Sequence, residues 1–363
     1  MDSDRALERL VRHYSPSGAE TPAVREFVRI ARALGYRART DAVGNGVATR
    51  GRGRPELLFL GHIDTVEGRR PVRRRGGRVS GRGSVDAKGA IVTALLAGRS
   101  VASHGTLRVV AAVGEETDSR GAHHLLHGRA PDGVIAGEPS GWDGVTVGYK
   151  GILRFEAEFR SPRAHSSSPE PSAPEQALAW WEATRHAIEA RRTESNFRSW
   201  TGKPVGWTSD AAGPVDRATL TVDLRLPPGL STAQAMALLP REPGTPRIRV
   251  LARIEPAEVL PGNPVAAALV HGVRAVGARP TLWRKGGTSD LNLALTAWGI
   301  PGAAYGPGDS RLDHTARESV SRLDLDRAVA VLRHAFAELL GEGPDRPATL
   351  PRSGGARGRT PRS

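Results

Sequence analysis

This chain of 363 residues contains no cysteine. It therefore has no disulfide, thiolate nucleophile or zinc-finger ligand, and any metal site must be built from His, Asp and Glu. The absence of disulfides also favours the cytosol. Aromatic residues make up only 5% of the chain, and neither a helix-turn-helix signature nor an aromatic-rich RNA-binding strand occurs. These absences argue against nucleic-acid recognition.

Long apolar segments are also missing. No apolar run approaches the roughly 20 residues that a membrane span requires. The first ten residues mix acids and arginines in a helical pattern, whereas a signal peptide needs a basic region followed by an apolar stretch. With 39% hydrophobic and 25% charged residues, the composition is typical of a globular protein. We therefore expect a cytoplasmic protein of two domains without a membrane segment.

Basic residues are in excess, with 52 Lys and Arg against 38 Asp and Glu. Such an excess can steer a protein toward nucleic acid, an anionic membrane or an acidic protein partner. Many of these charges fall in one arginine cluster, consisting of Arg69, Arg70, Arg73, Arg74, Arg75, Arg78 and Arg82. The cluster is either a solvated loop or a docking surface. A basic nucleic-acid-binding protein is a remote alternative that charge alone suggests.

The order of the predicted elements indicates an α/β fold. Helical spacing predicts two helices within residues 6–31, and a further helix is predicted from Ala90 to Val101. Three short apolar runs read as buried strands, at 57–60, 107–113 and 134–136, and each is followed by glycine and an ionisable residue. Ligands bind at the carboxyl edge of such sheets, so we expect the functional residues at these strand ends.

The pattern changes near Lys150, where alternating strands at 153–159 and 219–226 flank a helix at about 175–189. We therefore predict a central sheet flanked by helices, interrupted by a smaller α+β domain. The predicted ranges are 1–150 for the first part of the main domain, 151–263 for the inserted domain and 264–342 for the second part. The remaining residues, 343–363, have the Pro-, Gly- and Arg-rich composition of a disordered tail.

Ionisable residues beside glycines or strand ends define five segments: Gly61–Asp64, Gly83–Gly89, Gly114–Thr117, Gly137–Ser140 and Leu312–Thr315. Together they supply the imidazoles and carboxylates that a pair of metal ions about 3.5–4 Å apart would need. Each also has an ordinary interpretation. His62 could be a structural histidine, Glu115 and Glu116 a helix-start pair, Asp86 a turn residue and Glu138 an exposed acid.

The order and neighbours of these segments resemble metallopeptidase family M20, which includes succinyl-diaminopimelate desuccinylases, acetylornithine deacetylases, aminoacylases and glutamate carboxypeptidases. The resemblance extends to about Leu340. It implies two divalent metal ions, Zn²⁺ or Co²⁺, with Asp86 as the bridging ligand. It also implies His62 and Glu138 as the remaining ligands of one ion, and Glu116 and His314 as those of the other.

The same resemblance assigns the residues that work beside the metals. Glu115 would be the general base that takes a proton from the attacking water and returns it to the leaving nitrogen. Asp64 would bind the far nitrogen of His62 and fix its tautomer. The catalytic residues implied are therefore Glu115 and Asp64.

The inserted segment resembles the family's lid and dimerisation domain, which implies a homodimer. His165 matches a lid histidine that stabilises the oxyanion in the partner's active site. Arg225 and the turn at 286–290, with Gly287, Thr288 and Ser289, match positions that hold a substrate carboxylate. Arg225 could equally be a charged residue on the surface of a strand, and the glycine-rich turn could serve only to connect two elements.

Three local strings, at 62–68, 137–151 and 305–310, resemble the subgroup that releases lysine or ornithine from LysW, an acidic amino-group carrier protein. In that subgroup the amino acid is attached through its α-amino group to the side chain of the carrier's terminal glutamate, and the enzyme hydrolyses this amide. The alternative is an M20 deacylase acting on a free N-acyl amino acid, of the acetylornithine or acetyllysine deacetylase or succinyl-diaminopimelate desuccinylase type.

Overall fold

The computed structural model describes residues 1–101, 105–242, 244–260 and 262–341. The predicted tail at 343–363 lies outside these described residues. The α-helices are α1 (Ser3–Val11), α2 (Thr21–Ala33), α3 (Lys88–Ala97), α4 (Arg120–Leu126), α5 (Ala173–Glu189), α6 (Thr232–Ala237), α7 (Pro264–Ala275), α8 (Asp290–Trp298) and α9 (Arg322–Leu339). None of the described helices combines the length and apolar composition that a membrane crossing requires.

The first eight strands are β1 (Arg37–Thr40), β2 (Gly46–Arg52), β3 (Glu56–His62), β4 (Arg73–Arg75), β5 (Arg78–Ser80), β6 (Gly105–Ala112), β7 (Gly133–Gly137) and β8 (Gly144–Tyr149). The later strands are β9 (Gly151–Pro162), β10 (Thr201–Ala212), β11 (Val215–Leu226), β12 (Arg247–Ile254), β13 (Ala257–Glu258), β14 (Thr281–Lys285), β15 (Gly302–Ala304) and β16 (Ser319–Ser321). The three apolar runs predicted as buried strands form β3, β6 and β7.

Contacts divide the chain into two compact units. The first unit comprises Met1–Val147, Val259–Trp283 and the chain from Ser289. The second unit comprises Gly148–Glu258 and the short segment Arg284–Thr288. That short segment falls inside the range 264–342, which the sequence predicts as the second part of the main domain. The catalytic and lid roles given to these ranges stay predictions.

The sheet of the first unit runs in the order β1-β2-β6-β3-β7-β15-β8. Strands β6, β3, β7 and β15 are mutually parallel, while β2 is antiparallel to β6. Helix α8 packs against β7 and β15, whereas α3 packs against β3, β6 and α9. This mixed sheet flanked by helices confirms the predicted α/β fold.

Helix α3 is the most deeply buried helix of this unit. All of its residues, from Lys88 to Ala97, are buried, which explains why its sequence has no polar face. The helix predicted at 90–101 therefore begins earlier and ends earlier. It ends because a tighter 3-10 turn, Gly98–Ser100, follows directly.

The second unit contains an antiparallel sheet in the order β10-β11-β9-β12. Alternate residues of β9 are buried, including Phe155 and Phe159, as the alternating sequence predicts. Helix α5 packs against β9 and β11, and its Trp180 lies edge-on to Phe155, with ring centroids 6.3 Å apart. This unit therefore has a hydrophobic core of its own.

Candidate metal centre

Four of the candidate residues follow parallel strands at one edge of the sheet. His62 is the last residue of β3, Glu138 follows β7, and Glu115 and Glu116 follow β6 after a short turn. Gly114 makes that turn with a φ of 77°. A Cβ there would lie 2.7 Å from Asp118 Oδ1, so the turn requires glycine.

Two further candidates reach the same place from loops. Asp86 lies just before α3, and His314 follows the 3-10 turn Ser310–Leu312. His314 has a φ of 61°, in the left-handed region that residues other than glycine seldom adopt. Such a conformation persists where the surrounding structure holds it.

The structure brings five of these six side chains, all except Glu115, into two groups that share Asp86. His62, Asp86 and Glu138 form one group, Asp86, Glu116 and His314 form the other, and within each group the candidate ligand atoms lie within 4.8 Å of one another. His62 Nε2 lies 3.1 Å from Asp86 Oδ1, whereas His314 Nε2 lies 3.0 Å from Asp86 Oδ2. Each carboxylate oxygen of Asp86 therefore faces a different imidazole, which suits a bridging ligand between two cations.

Asp64 connects this cluster to its surroundings. It is fully buried, its Oδ1 lies 3.5 Å from His62 Nδ1, and its backbone oxygen lies 3.1 Å from the same nitrogen. Its carboxylate also accepts hydrogen bonds from the backbone amides of Glu115 and Glu116, each at 3.1 Å. Burial raises the pKa of Asp64, but its hydrogen bonds from His62 and Ser17 hold the pKa below the ordinary value. Asp64 thus fixes both the imidazole and the acid pair.

The cluster concentrates negative charge within a protein of net charge +14. Hydrogen bonds with Asp86 and Glu116 raise the pKa of His314 to about 10, so a positive charge is strongly favoured beside these carboxylates. Burial and the neighbouring Glu138 raise the pKa of Glu115 well above the ordinary glutamate value, against the opposing effect of His62. The donor set and its charge suit divalent cations.

The predicted substrate contacts fall mostly in the second unit. His165 is exposed, with its Nδ1 2.8 Å from Ser167 Oγ, and Arg225 on β11 has its Nε 3.1 Å from Asp223 Oδ1. Gly287 and Thr288 belong to the same unit. Ser289 belongs to the first unit, where its hydroxyl accepts a hydrogen bond from Leu291 N and caps α8. Their substrate roles stay predictions.

Sequence patterns missed three residues that support the cluster. Ser17 donates a 2.7 Å hydrogen bond to Asp64 Oδ2, and Arg82 forms an ion pair with Glu318 at 2.8 Å. Arg82 is only 5% exposed, so the interpretation of the arginine cluster as a solvated loop is wrong for this residue. No local pattern distinguishes Glu318, because its partners Arg82, Val85 and Asp86 are more than 230 residues away in sequence.

This chain is similar in sequence to known hydrolases. The family model for peptidase family M20/M25/M40 matches residues 58–338. The LysW-lysine hydrolase of Deinococcus radiodurans is 36% identical over 337 residues, covering 89% of this chain and 93% of that protein. The LysW-lysine/LysW-ornithine hydrolase of Sulfurisphaera tokodaii is 30% identical over 333 residues, covering 90% and 92%.

Solved structures share the fold at low sequence identity. Aminopeptidase PepT from Bacillus cereus has a TM-score of 0.75 at 18% identity, over 93% of this chain and 99% of that one. The M20 family metallo-carboxypeptidase Sso-CP2 from Sulfolobus solfataricus has a TM-score of 0.73 at 17% identity, over 94% and 99%. The family match covers well over half of the chain, including all five residues of the two ligand groups, and this chain therefore belongs to peptidase family M20/M25/M40.

Proposed function

We propose that this protein is a two-metal hydrolase that releases lysine, ornithine or both from the carrier protein LysW by cleaving the amide to the carrier's C-terminal glutamate side chain. The observation that supports the chemistry best is the position of Asp86 between two imidazoles, one at each of its oxygens. The names of the relatives support the substrate. They are LysW-lysine and LysW-lysine/LysW-ornithine hydrolases, and the similarity to this chain covers more than nine-tenths of their length.

The metal ions fit the residues present. His62 and Glu138 would hold one ion, Glu116 and His314 the other, and Asp86 would bridge them. We propose Zn²⁺ or Co²⁺, because imidazole nitrogen and carboxylate oxygen suit these ions. Bound metal would supply Lewis acidity, which acidifies water and polarises a carbonyl oxygen.

The protein groups do the proton transfer and the positioning. Asp64 keeps His62 Nδ1 occupied, so that Nε2 faces Asp86. Glu115 lies in neither ligand group within the described part of the chain, so it is available as the general base. His165 would stabilise the oxyanion, and Arg225 with Gly287, Thr288 and Ser289 would hold the substrate carboxylate.

One experiment distinguishes this proposal from a deacylase of free amino acids. The purified enzyme is incubated with lysine-loaded carrier, ornithine-loaded carrier, acetyllysine and acetylornithine, and the released amine is measured. We expect release from one or both loaded carriers at a far higher kcat/KM than from the acetylated amino acids. The reverse order would make the protein a deacylase of free N-acyl amino acids.

We propose that part of the arginine cluster docks the acidic carrier. Arg69, Arg70, Arg73 and Arg75 are exposed, whereas Arg74 pairs with Asp4 and Glu8, Arg78 donates to Ser319 and Arg82 is buried. Arg69 and Arg70 also line a surface cavity of about 520 Å³ together with Arg12 and Arg82. Complementary charge at such a rim speeds association.

Reversal of Arg69, Arg70 and Arg73 to Glu should raise KM for the loaded carrier while kcat stays nearly unchanged, because rim charges act on association. Added salt should weaken the wild-type reaction in the same direction, since exposed charges are screened over about 8 Å at physiological ionic strength. The matched control reverses Arg25, Arg39 and Arg52, three exposed arginines elsewhere in the first unit. An equal KM in the two triple variants would leave the cluster as a solvated loop.

We propose that the second unit carries the homodimer interface. Its edge strand β10 and helix α5 expose apolar side chains, with Leu178 59%, Val205 53% and Trp207 42% exposed. Exposed apolar groups on an edge strand favour association with another chain. Leu178→Glu combined with Trp207→Glu should therefore give monomers in sedimentation equilibrium, and these monomers should keep the circular-dichroism spectrum of the wild type. A monomeric wild type would contradict the proposal.

A further inference from the structure

The ion pair of Arg82 and Glu318 contacts the backbone of two proposed metal ligands, Asp86 and His314, and neither side chain of the pair is itself a proposed ligand. We propose that this pair is a positioning device that holds the backbone of Asp86 and the backbone of His314 in the geometry that binds metal. The inference rests on the proposed two-metal function. It adds Arg82 and Glu318, which act on the metal ligands through hydrogen bonds to the protein backbone.

Glu318 acts on the bridging ligand. It is 2% exposed, and its Oε1 accepts hydrogen bonds from the backbone amides of Val85 at 3.0 Å and Asp86 at 3.3 Å. These two amides belong to the turn from which the Asp86 side chain projects toward both histidines. Glu318 therefore fixes the direction of the ligand that both metal groups share.

Arg82 acts on the other loop. Its guanidinium donates to the backbone oxygen of His314 at 3.2 Å and to that of Thr315 at 3.3 Å, while it pairs with Glu318 Oε2 at 2.8 Å. His314 has the left-handed φ of 61°, a conformation that needs support from its surroundings. The planar fork of arginine can bind two carbonyls and a carboxylate together, which explains why arginine occupies this position.

A contribution to stability alone does not explain why this ion pair is buried. Burying two charges carries a desolvation cost, and apolar residues of similar volume are often equally good for stability. Here the remaining hydrogen bonds of both partners go to the two loops that carry Asp86 and His314, which are 228 residues apart in sequence. The pair thus couples two distant ligand loops, and that coupling is what an apolar pair would lack.

The decisive variant removes both charges, as Arg82→Met with Glu318→Leu. The variant leaves neither charge of this pair buried alone, but it removes the partners of four backbone groups. The thermal unfolding temperature should therefore fall moderately, and the titration is run well below it. Co²⁺ titration of the metal-free protein should show about 10–100-fold weaker binding, as is usual when residues that orient ligands are lost. The visible Co²⁺ absorption spectrum should change as well, because it reports the coordination geometry.

A second variant, Arg82→Lys, keeps the ion pair with Glu318 but loses the fork that binds both carbonyls. It should weaken the ion held by Asp86, Glu116 and His314 more than the ion held by His62, Asp86 and Glu138. The matched control is Arg9→Met with Glu26→Leu, which removes another arginine pair to a buried carboxylate, 2.6 Å apart in the first unit. That control should leave Co²⁺ affinity and spectrum unchanged.

The outcomes distinguish a failure of the positioning role from a failure of the two-metal function. A wild type that binds two Co²⁺ ions per chain, with weakened binding in both Arg82 variants, supports the inference. If the wild type binds two ions and either folded variant matches it in affinity and spectrum, the positioning role is overturned while the two-metal function stands. A wild type that binds fewer than two ions overturns both.

Discussion

Chelation of the purified protein should abolish turnover of the loaded carrier, and Zn²⁺ or Co²⁺ should restore it. The chain has no cysteine, and among the described residues the candidate centre offers only imidazoles and carboxylates. None of these groups replaces a metal as a Lewis acid for an amide carbonyl. The measurement is the rate of amine release before chelation, after it and after readdition of metal.

Single ligand substitutions should reproduce this loss one group at a time. Asp86→Ala should remove both ions, because Asp86 belongs to both groups, whereas His62→Ala and His314→Ala should each lower metal content by one ion. Each of the three variants should lose turnover. His271→Ala is a matched control, since this exposed histidine lies 3.0 Å from Glu338 outside the cluster. Full activity in a metal-free sample would refute the mechanism.

The parts of the site that could be predicted from sequence depend on local patterns. Short apolar runs that end at glycine and an ionisable residue identify β3, β6 and β7, and parallel strands bring their carboxyl ends to one edge. The sequence pattern therefore predicts that His62, Glu116 and Glu138 lie at this edge of the sheet. The second unit is harder to predict, because Pro204 and Gly206 interrupt the pattern of β10.

The supporting residues could not be predicted because their partners are distant in sequence. Arg82 and Glu318 are 236 residues apart, and Ser17 lies 47 residues from Asp64. Within its own segment Arg82 is one arginine among several, and no local pattern separates it from its exposed neighbours. Only the tertiary structure shows that it is buried and paired, which is why the composition of the cluster suggested a solvent-facing role.

The adjacent acids Glu115 and Glu116 should respond differently to the same change. Glu115→Gln should keep both metals yet lose about 10²–10⁴-fold in kcat, the usual value of general-base assistance. Glu116→Gln should instead weaken the ion shared with His314, because its Oε1 lies 3.1 Å from His314 Nε2. Metal content and kcat, measured on both variants, test these roles.

The two variants form a matched pair because Asp64 holds the backbone amides of both residues at 3.1 Å. That anchoring is independent of either side chain, so each glutamine should occupy the position of the glutamate it replaces. A neutral amide is also less costly to bury than a carboxylate, so neither variant should lose activity by unfolding. If Glu115→Gln loses a metal while Glu116→Gln keeps both, then Glu115 is the ligand, Glu116 is the base, and the proposed roles are reversed.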